Sequence, residues 1–243
     1  MRGRAAEAIA AIAEELGARA TGDAALASFS DLLSQGTGAR NAPLPEAPPD
    51  HPARAHLRPA FAALSGPAPR LIAAIEAIAG DLRWRQVFDG TGAPPTVAEG
   101  MLAAQIAGPV GLIGANGDGC AGLFLIAPGV HYPFHTHEAT EIYYCVHGRL
   151  LLQYGTQSKP MELTPGLYGH TPSNRVHSLT TEAEPVLLIY AWTGPLDRPN
   201  WIWDTDGQGG WTRANWSRRD DGSWVKQAEE PVTAALLAEA EGN

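Results

Sequence analysis

Apolar residues follow two different periods along this chain. Up to about residue 83 they recur three and four apart, and beyond it they come in short runs separated by glycine. Ala5, Ile9, Ile12 and Leu16 mark one face of a first helix, with Gly17 as its expected stop. A second helix fits residues 23–33, with Asp23 placed to cap it. Residues 36–52, rich in Pro, Gly and Ala, read as a linker or irregular loop. A short helix is expected at 59–64 and a longer one at 69–82, with Leu71, Ile72, Ile75 and Ile78 as its buried stripe. His51 and His56 are expected on the solvated surface. This helical third carries no evident chemistry and reads as a cap or a homodimerisation element.

From Trp84 onward the expected strands are 101–106, 110–113, 121–126, 141–146, 150–154, 163–168, 175–180 and 185–192. A turn cluster at 114–119 and a hairpin at His147-Gly148-Arg149 punctuate them. Short strands at regular spacing imply a closed antiparallel barrel or a double-sheet jelly roll, whose interior can hold one metal and one small ligand. The tail from Gly194 crowds Trp201, Trp203, Trp211, Trp216 and Trp224 among Asp204, Asp206, Arg213, Arg218 and Arg219. It could be a substrate lid. The preferred reading is that the tryptophans anchor an extension and that 231–240 forms a terminal helix. The expected division is a helical region at 1–83, a β-barrel at 84–196 and a Trp-rich extension at 197–243.

Composition narrows the function classes. With 243 residues the chain can bury a full core, and a formal net charge of −9 offers no basic stripe for nucleic acid. No apolar run approaches membrane-spanning length, so no membrane partner is expected. Residues 1–20 carry Glu7, Glu14 and Glu15 among alanines, which reads as an amphipathic helix and not a signal peptide. Cys120 and Cys145 cannot make a disulfide framework, and a cytoplasmic location is expected.

The chemistry is concentrated in residues 129–143, which pack His131, His135, His137, Glu141, Tyr132 and Tyr143 into one segment. Residues two apart on a strand share a face, so His135 and His137 aim together. After a turn, Glu141, Tyr143 and Cys145 share a face of the next strand, Cys145 as a small buried residue. His177 is the candidate fourth ligand. Two or three imidazoles with a carboxylate suit one divalent transition ion, with Zn, Fe, Mn, Co and Ni all compatible. His131 and His170 read as surface or supporting residues, with polar lining or a proton shuttle as alternatives.

Gly129, five residues, His135-x-His137, three residues, Glu141, six residues and Gly148 resembles the first motif of the cupin superfamily. Pro165-Gly166 followed by His177 resembles the second. Within the cupins, residues 123–129, Tyr132-Pro133, the Glu141-Ile142-Tyr143 step and residues 185–192 resemble the cupin-type dimethylsulfoniopropionate (DMSP) lyases. The resemblance covers roughly residues 84–196. Two features depart from it: Tyr144-Cys145-Val146-His147 replaces an aliphatic run, and the tryptophan-rich tail has no counterpart.

The resemblance implies a mainly β fold, a cupin jelly-roll barrel preceded by a helical N-terminal region. It also implies a metal held by His135, His137, Glu141 and His177, and a small zwitterionic substrate cleaved to dimethyl sulfide and acrylate by β-elimination. Tyr143 is the expected base, with Tyr132 as the second candidate. Phe134, Tyr190 and Trp192 are the aromatics expected around the sulfonium. The alternatives are a cupin dioxygenase or isomerase acting on another small carboxylic acid, and a non-catalytic cupin that binds a metabolite. The partners that orient the ligand imidazoles are not identifiable from sequence.

Overall fold

The computed structural model describes residues 1–34, 46–88, 92–115, 118–218 and 224–242. Most of the expected 36–52 linker, the centre of the 114–119 turn and Arg219 lie outside them. Two antiparallel sheets face each other, and helices cover the outer side of the first. The first sheet runs, in spatial order, Arg85–Gln86 (β1), Met101–Ala107 (β2), Gly119–Ile126 (β3), Val186–Thr193 (β10), Thr140–His147 (β5) and Tyr168–Thr171 (β8). The second runs Trp224–Pro231 (β13), Trp211–Arg218 (β12), Asn200–Thr205 (β11), His131–Thr136 (β4), His177–Thr181 (β9), Leu150–Tyr154 (β6) and Met161–Leu163 (β7).

Alternation along the first sheet explains both of its packed faces. On β5, Ile142, Tyr144 and Val146 point out to a core shared with the helices, while Tyr143 and Cys145 point into the inter-sheet space. On β10, Leu187, Ile189 and Ala191 point out, and Val186, Leu188 and Tyr190 point in. A sheet apolar on both faces needs a second cover. Helices α1 (Arg2–Arg19), α2 (Ala24–Ser34), α3 (Leu57–Ala62) and α4 (Pro69–Ile78) supply it through Ile9, Ile12, Leu16, Phe29, Leu71 and Ile75. Each such side chain stabilises by about 1.5–3 kcal/mol relative to exposure. A polar clasp adds direction: the Tyr144 hydroxyl donates to Glu15 at 2.7 Å, and Glu15 also pairs with Arg19.

Asp23 caps α2, its Oδ1 accepting from the amides of Ala25 at 3.0 Å and Leu26 at 3.2 Å. Several expectations need correction. Gly17 does not stop α1, which continues to Arg19. A Cβ there would lie 2.8 Å from Ser30 Oγ, so the glycine serves the close crossing of α1 and α2. His51 is buried, not solvated, with Nε2 3.1 Å from the carbonyl of Ala98 on α5 (Pro95–Gly100). His56 is half-buried.

Residues 110–113 form no strand. Val110 donates its amide to Gln105 Oε1 at 2.8 Å in a turn, and Ile113 makes one isolated bridge to Ala107. His147-Gly148-Arg149 is not a hairpin, because β5 and β6 belong to opposite sheets and do not pair. Gly148 turns the corner at φ +82°, where a Cβ would meet the Pro185 carbonyl oxygen at 2.3 Å. Residues 163–168 are likewise two strands, β7 and β8, divided between the sheets by the Pro165-Gly166 turn.

In the tail, β11 pairs with β4 and extends the second sheet through β12 and β13. Trp203, Trp216 and Trp224 are buried, and Trp201 and Trp211 are half-buried. Helix α6 (Ala234–Ala240) closes the described chain, and Thr233 Oγ1 caps it by accepting from the Leu236 amide at 3.2 Å. Among the described residues no helix is long and apolar enough to cross a membrane.

Candidate metal centre and its surroundings

Both sheets contribute to one buried polar cluster. His135 on β4 is the register partner of His177 on β9, with ring centroids 3.9 Å apart. His137 follows β4 and closes the group, 6.0 Å from His135 and 5.2 Å from His177 between ring centroids. One ligand-capable atom from each lies within 4.8 Å of the other two. Glu141 comes from the opposite sheet on β5, its Oε2 3.0 Å from His137 Nε2 and 3.6 Å from His177 Nε2. All four side chains are within a few per cent of complete burial.

Each imidazole is oriented by a carbonyl two residues away in its own chain. Nδ1 of His135 lies 2.8 Å from the Pro133 carbonyl oxygen, that of His137 2.7 Å from Ala139, and that of His177 3.0 Å from Arg175. Carbonyls only accept, so each Nδ1 carries the proton and each Nε2 presents a lone pair. His177 Nε2 is buried with no hydrogen-bond partner among the described residues. His137 Nε2 meets a carboxylate oxygen, which is also an acceptor. A divalent cation among these lone pairs would satisfy all of them.

The electrostatics agree. Burial first, then the neighbouring imidazoles of His177 and His137, holds His135 well below the usual histidine range, and burial chiefly lowers His177. Burial alone would raise Glu141; its pairing with His137 and His177 instead holds the carboxyl at about 2, which requires a proton on those Nε2 atoms or a cation in the proton's place. Neutral imidazoles around an ionised carboxylate fit a divalent transition ion.

The tyrosines flank this cluster on two sides. The Tyr132 ring stacks on His135 at 4.0 Å and 15°. Tyr143 has its ring centroid 6.4 Å from that of His177 and stands opposite Tyr190 in the β5–β10 register. Burial first, then the Glu141 carboxylate, raises both phenols well above the usual tyrosine range. Trp192 is the register partner of Glu141 and stacks on His137 at 4.4 Å and 26°. Tyr190 is buried in the inter-sheet core.

Phe134 is not brought to the cluster. It is adjacent to His135 on β4 and faces the other way, packing edge-on against Trp211 at 5.5 Å. His131 is exposed, with Nδ1 2.8 Å from Thr180 Oγ1. His170 lies on the outer face of the first sheet, level with Ile142. Cys145 is buried, its thiol pushed up to about 12 chiefly by burial.

Tyr154 is the residue that sequence reasoning missed. On β6 it is the register partner of His177, and its hydroxyl accepts from Thr171 Oγ1 at 3.5 Å. Thr171 is in turn the register partner of Glu141. Burial, opposed by the Thr171 hydrogen bond and reinforced by Glu141, pushes the Tyr154 phenol up to about 12. Its signal was parity with Leu150 and Leu152, both of which enter the inter-sheet core.

Two apposed antiparallel sheets with an imidazole cluster between them define the cupin class of β-barrel. The chain belongs, within that class, to the DMSP lyase family, whose sequence profile matches residues 26–188. It is similar to the DMSP lyase DddQ of Ruegeria pomeroyi, 35% identical over 92 residues, covering 35% of this chain and 45% of that protein. It also resembles the putative DMSP lyase DddL of Cereibacter sphaeroides, 32% identical over 137 residues, 52% of each chain. The chain thus spans about half the length of the curated relatives it matches.

Among solved structures, the Ruegeria pomeroyi DddQ crystal structure superposes with a TM-score of 0.60 at 24% identity, covering 79% of this chain and 94% of that one. A chain from the structures of the DMSP lyases RdDddP and RnDddQII gives 0.54 at 23% identity, covering 80% and 97%.

Proposed function

We propose that this chain is a metal-dependent carbon–sulfur lyase that cleaves DMSP to dimethyl sulfide and acrylate. Support comes first from the buried cluster of His135, His137, His177 and Glu141, with three Nε2 lone pairs turned on one another beside an ionised carboxylate. A divalent ion bound by these four residues would supply Lewis acidity toward the substrate carboxylate, and positive charge that favours a phenolate nearby.

Tyr143 is the base in this reading. It takes the proton from the carbon next to the substrate carboxylate, and the freed electron pair forms the carbon–carbon double bond of acrylate. The carbon–sulfur bond breaks with its pair going to sulfur, which leaves as neutral dimethyl sulfide. Burial and Glu141 keep the Tyr143 phenol protonated in the metal-free protein, so the base is armed only when the cluster is loaded. Tyr132, stacked on His135, acts as a positioning residue in this reading, its ring holding the imidazole. The rings of Tyr190 and Trp192 offer π faces to the sulfonium, a contact typically worth a kcal/mol or two when desolvated.

The test is direct. Purified full-length protein, loaded in turn with Zn, Fe, Mn, Co or Ni, is incubated with DMSP and its headspace analysed for dimethyl sulfide. Stoichiometric dimethyl sulfide and acrylate are expected, and the production should stop with chelator. Oxygen consumption without dimethyl sulfide would instead indicate a dioxygenase.

A further inference from the structure

Asn200 opens β11, beyond the stretch that the family profile matches, and it is 4% exposed. Its Oδ1 has no hydrogen-bond partner among the described residues. The β4–β11 register pairs Thr136 with Trp201 and His135 with Ile202, which sets Asn200 level with His137. Ile202, two residues on and therefore on the same face, packs among the inter-sheet residues. Asn200 thus turns toward the space where Trp192 stacks on His137. The Trp192 indole N–H is also buried and unpartnered among the described residues. Buried polar groups are nearly always hydrogen-bonded, so an acceptor and a donor left open beside one imidazole call for a ligand that completes both.

We propose that Asn200 is a specificity-determining residue of this site, its amide oxygen receiving the cationic, onium end of a small zwitterion. The proposal rests on the lyase reading above and names what selects the substrate. An amide carbonyl presents the negative end of its dipole. It attracts the polarised methyl groups of an onium through C–H···O and charge–dipole contact, and it gains little from a neutral tert-butyl group of the same shape. The Trp192 indole N–H is a donor at the ring edge, suited to the carboxylate oxygen that the ion leaves free, while the ring face remains the part offered to the onium. A zwitterion supplies both poles at once.

The experiment compares two ligands of one shape. 3-(Trimethylammonio)propionate carries the onium, and its leaving group departs far less readily than a sulfide. Its neutral carbon isostere is 4,4-dimethylpentanoate. Binding of each to the metal-loaded full chain is measured by calorimetry for wild type, Asn200→Leu and Asn200→Ala. Wild type is expected to prefer the onium by about tenfold, and both variants to lower that preference to within about threefold, mainly by weakening the onium ligand. With DMSP as substrate, KM should rise more than kcat falls. A preference that survives both substitutions overturns the proposal, as does equal weakening of both ligands. Wild-type protein that prefers the onium but releases no dimethyl sulfide would sink the lyase reading and leave the assignment of Asn200 standing.

Discussion

Tyr132 and His135 lie three residues apart on β4, yet their rings stack at 4.0 Å. Strict alternation would send them to opposite faces. The β4–β9 register shifts between these residues, and that bulge turns both into the inter-sheet space. The stack makes a prediction that separates packing from chemistry. Tyr132→Phe keeps the ring and should hold metal affinity within about threefold, whereas Tyr132→Ala should lose about tenfold or more, as supporting-residue substitutions do. Titration with a fluorescent zinc competitor measures both.

Tyr143→Phe removes only a hydroxyl. Loss of a general base typically costs a factor of about a hundred to ten thousand in rate, and dimethyl sulfide release should fall within that span. Metal content by elemental analysis should be unchanged. A variant that retains more than a tenth of wild-type activity would point to another base, with Tyr154 the first to examine because it stands beside His177.

The four proposed ligands come from both sheets, so metal binding is expected to cross-link them. Loading at about a hundred times Kd should stabilise the fold by about 2.7 kcal/mol, a rise in Tm of roughly 5–10 °C for a chain of this size. His177→Ala should abolish most of this increment. Differential scanning calorimetry with and without chelator reads it, and an unchanged Tm would mean that the imidazoles hold no ion.

The metal-free protein should be acid-labile, and the sign follows from the shifts. Burial and the adjacent imidazoles hold His135 below the ordinary value of 6.5, and burial lowers His177 in the same sense. The unfolded chain therefore binds more protons than the folded one below pH 6.5, and folding stability drops as pH falls through that value. Glu141 acts in the same direction lower down: its contribution is present above its ordinary 4.5 and is lost as pH falls toward about 2. Urea midpoints should hold from pH 8 to about pH 7 and decline from there to pH 5, and a profile flat throughout would mean that these imidazoles are solvated.

Gly148→Ala tests the corner between the sheets. Alanine must adopt φ +82° and place a Cβ 2.3 Å from the Pro185 carbonyl oxygen. A destabilisation of about 1–3 kcal/mol is expected from the strained backbone alone, visible in the denaturant midpoint.

The convergence of the proposed metal ligands was legible in the sequence because much of their geometry is local. His135-x-His137 and Glu141 occupy one strand–turn–strand unit, where a period of two fixes facing. Strand pairing was not legible, since it depends on contacts distant in sequence. Residues 147–149 look like a hairpin until Pro185 is known to lie against Gly148. Phe134 was misjudged because aromatic character says nothing of parity, and His51 because a polar neighbourhood in sequence became a buried contact with Ala98. The family match begins at residue 26, inside α2, a stretch whose periodicity announces a helix and nothing more specific. The carbonyls of Pro133, Ala139 and Arg175 were invisible for another reason: any residue type can supply a backbone oxygen.

The pairing of β11 with β4 also decides which strand lies at the margin of the second sheet. Without the tail, the strand that bears His135 would become a margin, its main-chain N–H and C=O groups free to recruit a strand from another molecule. The tryptophan-rich tail therefore moves the open edge of this sheet away from the imidazole cluster and onto β13.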